Sequence, residues 1–173
     1  MRWILLAVGI LVGVVMLVFA IGALLPRKHH ATRRAQFRQP REAVWQAITD
    51  YEKFPEWRPT VKRVAPLPAS GGKPAWRETD GHGQVLPMEV TEWMPPARMA
   101  VRIADPNLPF GGTWTYEIES AEGGSALRIT EDGEIYNPIF RFMARFVFGY
   151  TATMDDYLKA LGVRFGETVQ IEP

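Results

Sequence analysis

The sequence predicts an α+β fold: one transmembrane helix, then an antiparallel sheet of about seven strands, curved and wrapped on a long C-terminal helix. Three observations predict it. Trp3 to Leu25 is a 23-residue stretch without a charge. Between residues 60 and 135, short alternating segments are separated by turns carrying Gly, Pro or Asn. From Pro138 to Leu161, apolar residues recur at helical spacing.

The first stretch, "WILLAVGILVGVVMLVFAIGALL", is long enough at helical rise to cross a hydrocarbon layer of roughly 30 Å. The competing reading is a cleaved signal peptide, with Arg2 as its basic start and Val18-Phe19-Ala20 as a small-residue cleavage site. The apolar run exceeds the about 7 to 15 residues usual there, which favours an anchor. Arg27, Lys28, Arg33 and Arg34 follow the span, whereas only Arg2 and the amino terminus precede it. The positive-inside bias therefore predicts a single-pass protein with its folded part in the cytoplasm. The chain has no cysteine, which fits a reducing compartment. Gly9 and Gly13 have GxxxG spacing, the mark of a weak self-association face.

The overall formal charge is +1, but from Ala35 onward 15 basic residues face 19 acidic ones, a net −4. A domain of that charge lacks the basic face that a nucleic acid requires. The basic flank instead suits anionic headgroups. The division expected is an anchor with its flank over 1–30 and one folded domain over 31–173, enough chain for a sizeable core.

"ATRRAQFR" alternates with a polarity that suits an edge strand. In "QPREAVWQAITD", Pro40 fits a first helical turn, and Val44, Trp45 and Ile48 form an apolar stripe. Pro55 and Pro59 confine "YEKFPEWRP" to a short second helix or turn. Six strand candidates follow: "TVKRVAPL", "AWRETD", "QVLPMEVTEW", "RMAVRIA", "GTWTYEIES" and "SALRITEDGEI". Their short connections predict an antiparallel meander. Asn137 can cap and Pro138 can start a helix running to about Leu161. Its apolar face gathers Phe142, Met143, Phe146, Tyr150, Met154, Tyr157 and Leu158, with Arg141 and Arg145 opposite.

Period-two counting assigns an inner sheet face carrying Trp76 with Glu78, Met88 with Val90, Trp114 with Tyr116, and Ile129 with Glu131. Most such residues form ordinary cores. Glu78 and Glu131 stand out because an ionised carboxylate among tryptophans and aliphatics is expensive without a partner. A raised carboxyl pKa at a functional cavity is one outcome. The bland alternatives are water at an open rim, a bulge that shifts the register, or pairing with Arg58 or a tyrosine hydroxyl. His82 lies in a turn, and His29 and His30 in the basic flank are expected to be solvated. Three histidines without ligand spacing predict no metal site. "PFGGTW" lacks a phosphate-loop pattern, no serine has a nucleophile-elbow context, and no cofactor is predicted.

The order of strand, two helices, meander and long helix resembles the helix-grip fold of the START-like (SRPBCC) superfamily, and more specifically its polyketide cyclase/dehydrase and lipid-transport branch. "PREAVWQAITDYEKFPEW", "WRETD", "GGTWTYEIE" and "ITEDGEIYNP" carry the resemblance, which spans about residues 31–165. It implies a sheet gripping a helix around an elongated apolar pocket for lipids, polyketides or similar molecules. It implies no universal catalytic set, and the N-terminal span departs from the usual soluble member. The expected ligand-binding residues are Trp76, Glu78, Met88, Trp114, Tyr116, Glu131, Phe142, Phe146 and Tyr150. The leading expectation is a membrane-anchored binder of a hydrophobic small molecule. The alternatives are a cyclase or dehydratase using Glu78 or Glu131 as general acid or base, and a non-catalytic scaffold.

Overall fold

The computed structural model describes residues 1–173. Helix α1 (Arg2–Leu24) is followed by β1 (Lys28–Phe37), helices α2 (Arg41–Thr49) and α3 (Phe54–Trp57), and six consecutive strands. These are β2 (Val61–Ser70), β3 (Lys73–Asp80), β4 (Val85–Met94), β5 (Arg98–Ile103), β6 (Phe110–Ala121) and β7 (Gly124–Ile135). The chain ends in α4 (Pro138–Met143), a π-helical turn (Ala144–Phe148), α5 (Ala152–Arg164) and β8 (Ile171–Glu172).

The predicted curved sheet of about seven strands, wrapped on the C-terminal helix, is corrected on both counts. The sheet has eight strands in the linear order β2-β3-β4-β5-β6-β7-β1-β8, so it ends in two separate edges and does not close. The eighth strand has only two residues, too few for any alternating pattern. At the other edge, β2 carries Pro66 and Pro68, which lack the N–H that a further strand would need. β1 pairs antiparallel with β7 from Lys28↔Glu134 to Phe37↔Ser125, and β8 covers only Arg34 and Ala35 on its other side.

Local chemistry explains the other elements. Val44, Ala47 and Ile48 turn one face of α2 into the core, while Trp45 remains half-buried against Trp93, ring centroids 5.0 Å apart. Asp80 Oδ1 accepts the backbone N–H groups of His82 and Gln84 at 2.8 Å, which fixes the β3–β4 turn. Asn137 Oδ1 accepts from the N–H groups of Ile139 and Phe140, capping α4 ahead of Pro138.

The C-terminal helical segment is not continuous. Gly149 adopts φ 76° and ψ 174°, a conformation suited to glycine, and the chain breaks there before α5 begins. α5 buries Met154, Tyr157, Leu158 and Leu161 in a core with Val44, Ile48, Leu127 and Ile129. The predicted stripe therefore splits: its second half packs on the sheet, and its first half packs elsewhere.

That second partner is α1. This helix is long and apolar enough to cross a membrane. Along it only Gly22 is buried, and Val18, Ile21 and Leu25 at its end are partly covered. A methyl group at Gly22 would overlap the backbone carbonyl of Pro138, so the two helices approach closely only because this residue is glycine. Arg141, expected on a solvated face, is 6% exposed and donates to the carbonyl oxygens of Leu25 at 2.6 Å and Ala23 at 3.5 Å. It thereby satisfies acceptors that the end of a helix leaves free.

Candidate functional site

A cavity of about 740 Å³ lies between the sheet and the segments from α4 to α5, and 18 of its 27 lining residues are hydrophobic. Such a volume suits a drug-sized or lipid-like molecule. Strands β3 to β6 contribute Trp76, Met88, Met99, Val101, Trp114 and Tyr116. Ile139, Phe140, Met143, Phe148 and Tyr150 form the wall facing them. Among the predicted ligand-binding residues, Trp76, Glu78, Met88, Trp114, Tyr116, Glu131 and Tyr150 line this cavity, and Phe142 and Phe146 do not. Those two rings pack on each other, centroids 4.9 Å apart, and Phe146 lies within the π-helical turn, where the ideal-helix stripe no longer holds.

Glu78 is the deeper of the two carboxylates and is not left without a partner. Arg58 Nη1 donates to Glu78 Oε1 at 2.9 Å, and Trp76 Nε1 donates to the same oxygen at 3.0 Å. The Arg58 guanidinium lies 4.7 Å above the Phe54 ring centroid and 5.1 Å from that of Tyr157. Burial works against the Arg58 charge, but the Glu78 carboxylate beside it outweighs that and holds the guanidinium above its ordinary range. Burial likewise pushes the Tyr116 hydroxyl well above the usual tyrosine value, with Tyr157 adding to the effect and Arg58 opposing it. Tyr116 therefore stays neutral.

Glu131 sits at a different place, paired across the ladder with Trp114 and, on the other side, with Ala31. Its Oε1 lies 3.5 Å from His29 Nε2, and the His29 ring stacks on Tyr150 at 4.3 Å with a 16° interplanar angle. The expectation that His29 is solvated is corrected: its side chain is only 11% exposed. Strand β1 begins three residues earlier than "ATRRAQFR" indicates, and this carries His29 onto the cavity face. Gly133 permits the arrangement, since a side chain there would occupy the space of the His29 ring. His30 points the other way, to exposed Asp132 at 2.7 Å.

Arg58 and His29, with Glu134 and Thr153, are polar lining residues outside the expected site. Arg58 and His29 lie outside the alternating segments that predict the inward face, in a loop and in the basic flank. No three His, Asp or Glu side chains gather as a metal ion would require.

Residues 28–163 match the profile of the polyketide cyclase/dehydrase and lipid transport family, and the chain belongs to that family. No curated protein matches it. A START superfamily protein from Mycobacterium smegmatis is similar in structure at 19% identity and a TM-score of 0.61, over 80% of this chain and 97% of that one. A Rhodobacter sphaeroides protein gives 21% identity and a TM-score of 0.57 over 80% and 97%. The di-domain ARO/CYC StfQ of the steffimycin biosynthetic pathway gives 15% and 0.60 over 81% of this chain and 52% of that protein. At these identities the likeness establishes the helix-grip fold.

Proposed function

We infer that this chain is a membrane-anchored domain that binds a hydrophobic or amphipathic small molecule in the cavity between the sheet and the C-terminal helices. The observation that carries the reading is the open cavity of about 740 Å³, of whose 27 lining residues 18 are hydrophobic. A scaffold has no use for such a volume. Trp76, Met88, Trp114, Tyr116 and Tyr150 supply apolar contact. Glu131 with His29 offers a polar anchor at one place, and Arg58 with Glu78 offers another. Residues 1–30 act as anchor and flank in this reading, with residues 31–173 as the binding domain.

Mass spectrometry of organic extracts from the full chain, purified in mild detergent, is expected to recover a copurified apolar ligand. Met88→Asp, which places a charge on the apolar wall, is expected to lower uptake of a fluorescent fatty acid at least tenfold. Absence of both ligand and uptake from the unaltered chain would remove the proposal.

A second reading, a cyclase- or dehydratase-type enzyme, rests on Glu131. Glu78 is committed to Arg58 and Trp76, which leaves the Glu131 carboxylate beside His29 as the group able to exchange a proton with a bound molecule. Glu131→Gln separates the readings, since an enzyme loses turnover with affinity retained and a binding domain changes only in affinity.

The excess of basic residues after the span places the domain on the cytoplasmic side. Lys28, Arg33 and Arg34 are paired with Glu134, Asp155 and Glu172 once folded, so this bias acts while the chain inserts. Protease added to sealed inside-out vesicles should digest the domain. Digestion only in right-side-out vesicles would reverse the orientation.

A further inference from the structure

The large exposed apolar side chains of the folded part are unevenly distributed. Outside α1, Ile139, Phe140, Phe146, Val147 and Phe148 are 37 to 66% exposed and fall within ten consecutive residues. The remaining ones, Val85, Met94, Tyr136 and Val163, are scattered singly apart from Tyr136, which adjoins the segment. A contiguous patch of this kind on an otherwise ordinary surface marks a contact with something apolar.

Its position says what that partner is. The segment begins where Pro138 touches Gly22, three residues before the apolar stretch of α1 ends at Leu25. At helical rise that is about 4.5 Å inside the end of the span. Arg141, the one buried charge of the segment, is spent on the carbonyl oxygens at that same end. The segment contains no acidic residue, and its exposed charge, Arg145, is of the sign that anionic headgroups attract. It is also the cavity wall opposite the sheet, through Ile139, Phe140, Met143 and Phe148.

We propose that residues 138–148 lie in the boundary between headgroups and acyl chains of the leaflet where α1 ends, so that this cavity wall faces lipid and the ligand is a lipid or amphiphile of that leaflet. The proposal rests on the anchor reading given above. Phe140, Phe146, Val147 and Phe148 enter the acyl layer, as the apolar face of an interfacial helix does. A ligand then passes between bilayer and cavity without crossing water.

The chain has no cysteine, so single labels can be placed without background. Phe146→Cys, Val12→Cys and Glu122→Cys are each labelled with an environment-sensitive dye in the full chain. The labelled chains are reconstituted in phosphatidylcholine/phosphatidylglycerol vesicles with brominated acyl chains. Residue 122 lies in the β6–β7 turn, at the far end of β7 from the segment. The expected result is a blue-shifted emission with quenching at both 146 and 12, and none at 122. Quenching at 12 with a water-like signal at 146 overturns this inference and leaves the anchor standing. A water-like signal at both 12 and 146 overturns the anchor reading and this inference with it. Quenching at 146 without quenching at 12 overturns the anchor reading on which this inference rests.

Discussion

Replacing Arg58 with methionine is expected to destabilise the domain by about 3–5 kcal/mol, the usual effect of removing one partner from a buried ion pair. The side chains of Arg58 and Glu78 are 16% and 9% exposed, so Glu78 cannot exchange its lost partner for bulk water. Trp76 Nε1 would remain as a single neutral donor. Methionine keeps an apolar stem against the rings of Phe54 and Tyr157, which isolates the effect of charge from that of packing. The double variant Arg58→Met/Glu78→Met is expected to recover most of the loss, because no ion is then left uncompensated. Chemical denaturation of the full chain in detergent measures both. A loss below about 1 kcal/mol for the single variant would mean that the pair behaves as an exposed one.

The second large effect is expected at Gly22. Gly22→Ala puts a methyl group against a backbone carbonyl, which cannot rotate away as a flexible side chain would. α1 and α4 must separate, and Arg141 then loses its acceptors on Leu25 and Ala23. Hydrogen bonds to a charged group contribute about 1.5–3 kcal/mol, enough to shift a short helix such as α4 from docked to detached. Hydrogen exchange over residues 138–148 is expected to accelerate at least tenfold in the variant. Gly9→Ala and Gly13→Ala serve as controls, since nothing lies within 4 Å of either position. Unchanged protection in Gly22→Ala would show that the contact with Pro138 does not hold the segment.

Much of the sheet was legible because its strands carry two independent signals. Alternation chose the inward residues of β3 to β7, and glycine or proline turns bounded them, so Trp76, Trp114 and Tyr116 were found on the cavity side. β8 has neither signal. Periodicity also misplaced Phe146, since a 100° rotation per residue holds only while the helix is ideal, and the π-helical turn and Gly149 end that condition, whereas Arg141 precedes the turn and is buried by its contact with the end of α1. The pairing of Glu78 was open between water, a bulge and Arg58, and only the packing of α3 against the sheet decides it. His29 was assigned to solvent from its basic neighbours. Its stacking on Tyr150 depends on residues about 120 positions away, beyond the reach of any local pattern.

The place of β1 in the sheet bears on how the protein is made. Its ten residues leave the ribosome directly behind the apolar helix, yet their long partner is β7, residues 124–135. Until that distant stretch has been translated, β1 waits with its backbone donors and acceptors solvated, and the β2-to-β6 meander can assemble ahead of it. Closure of the ladder between Phe37 and Ser125 joins the first strand of the sheet to the last of the meander, and such remote pairing comes slowly. A nascent chain stalled before residue 124 would therefore be unfinished, with a bare strand edge open to whichever neighbour reaches it first.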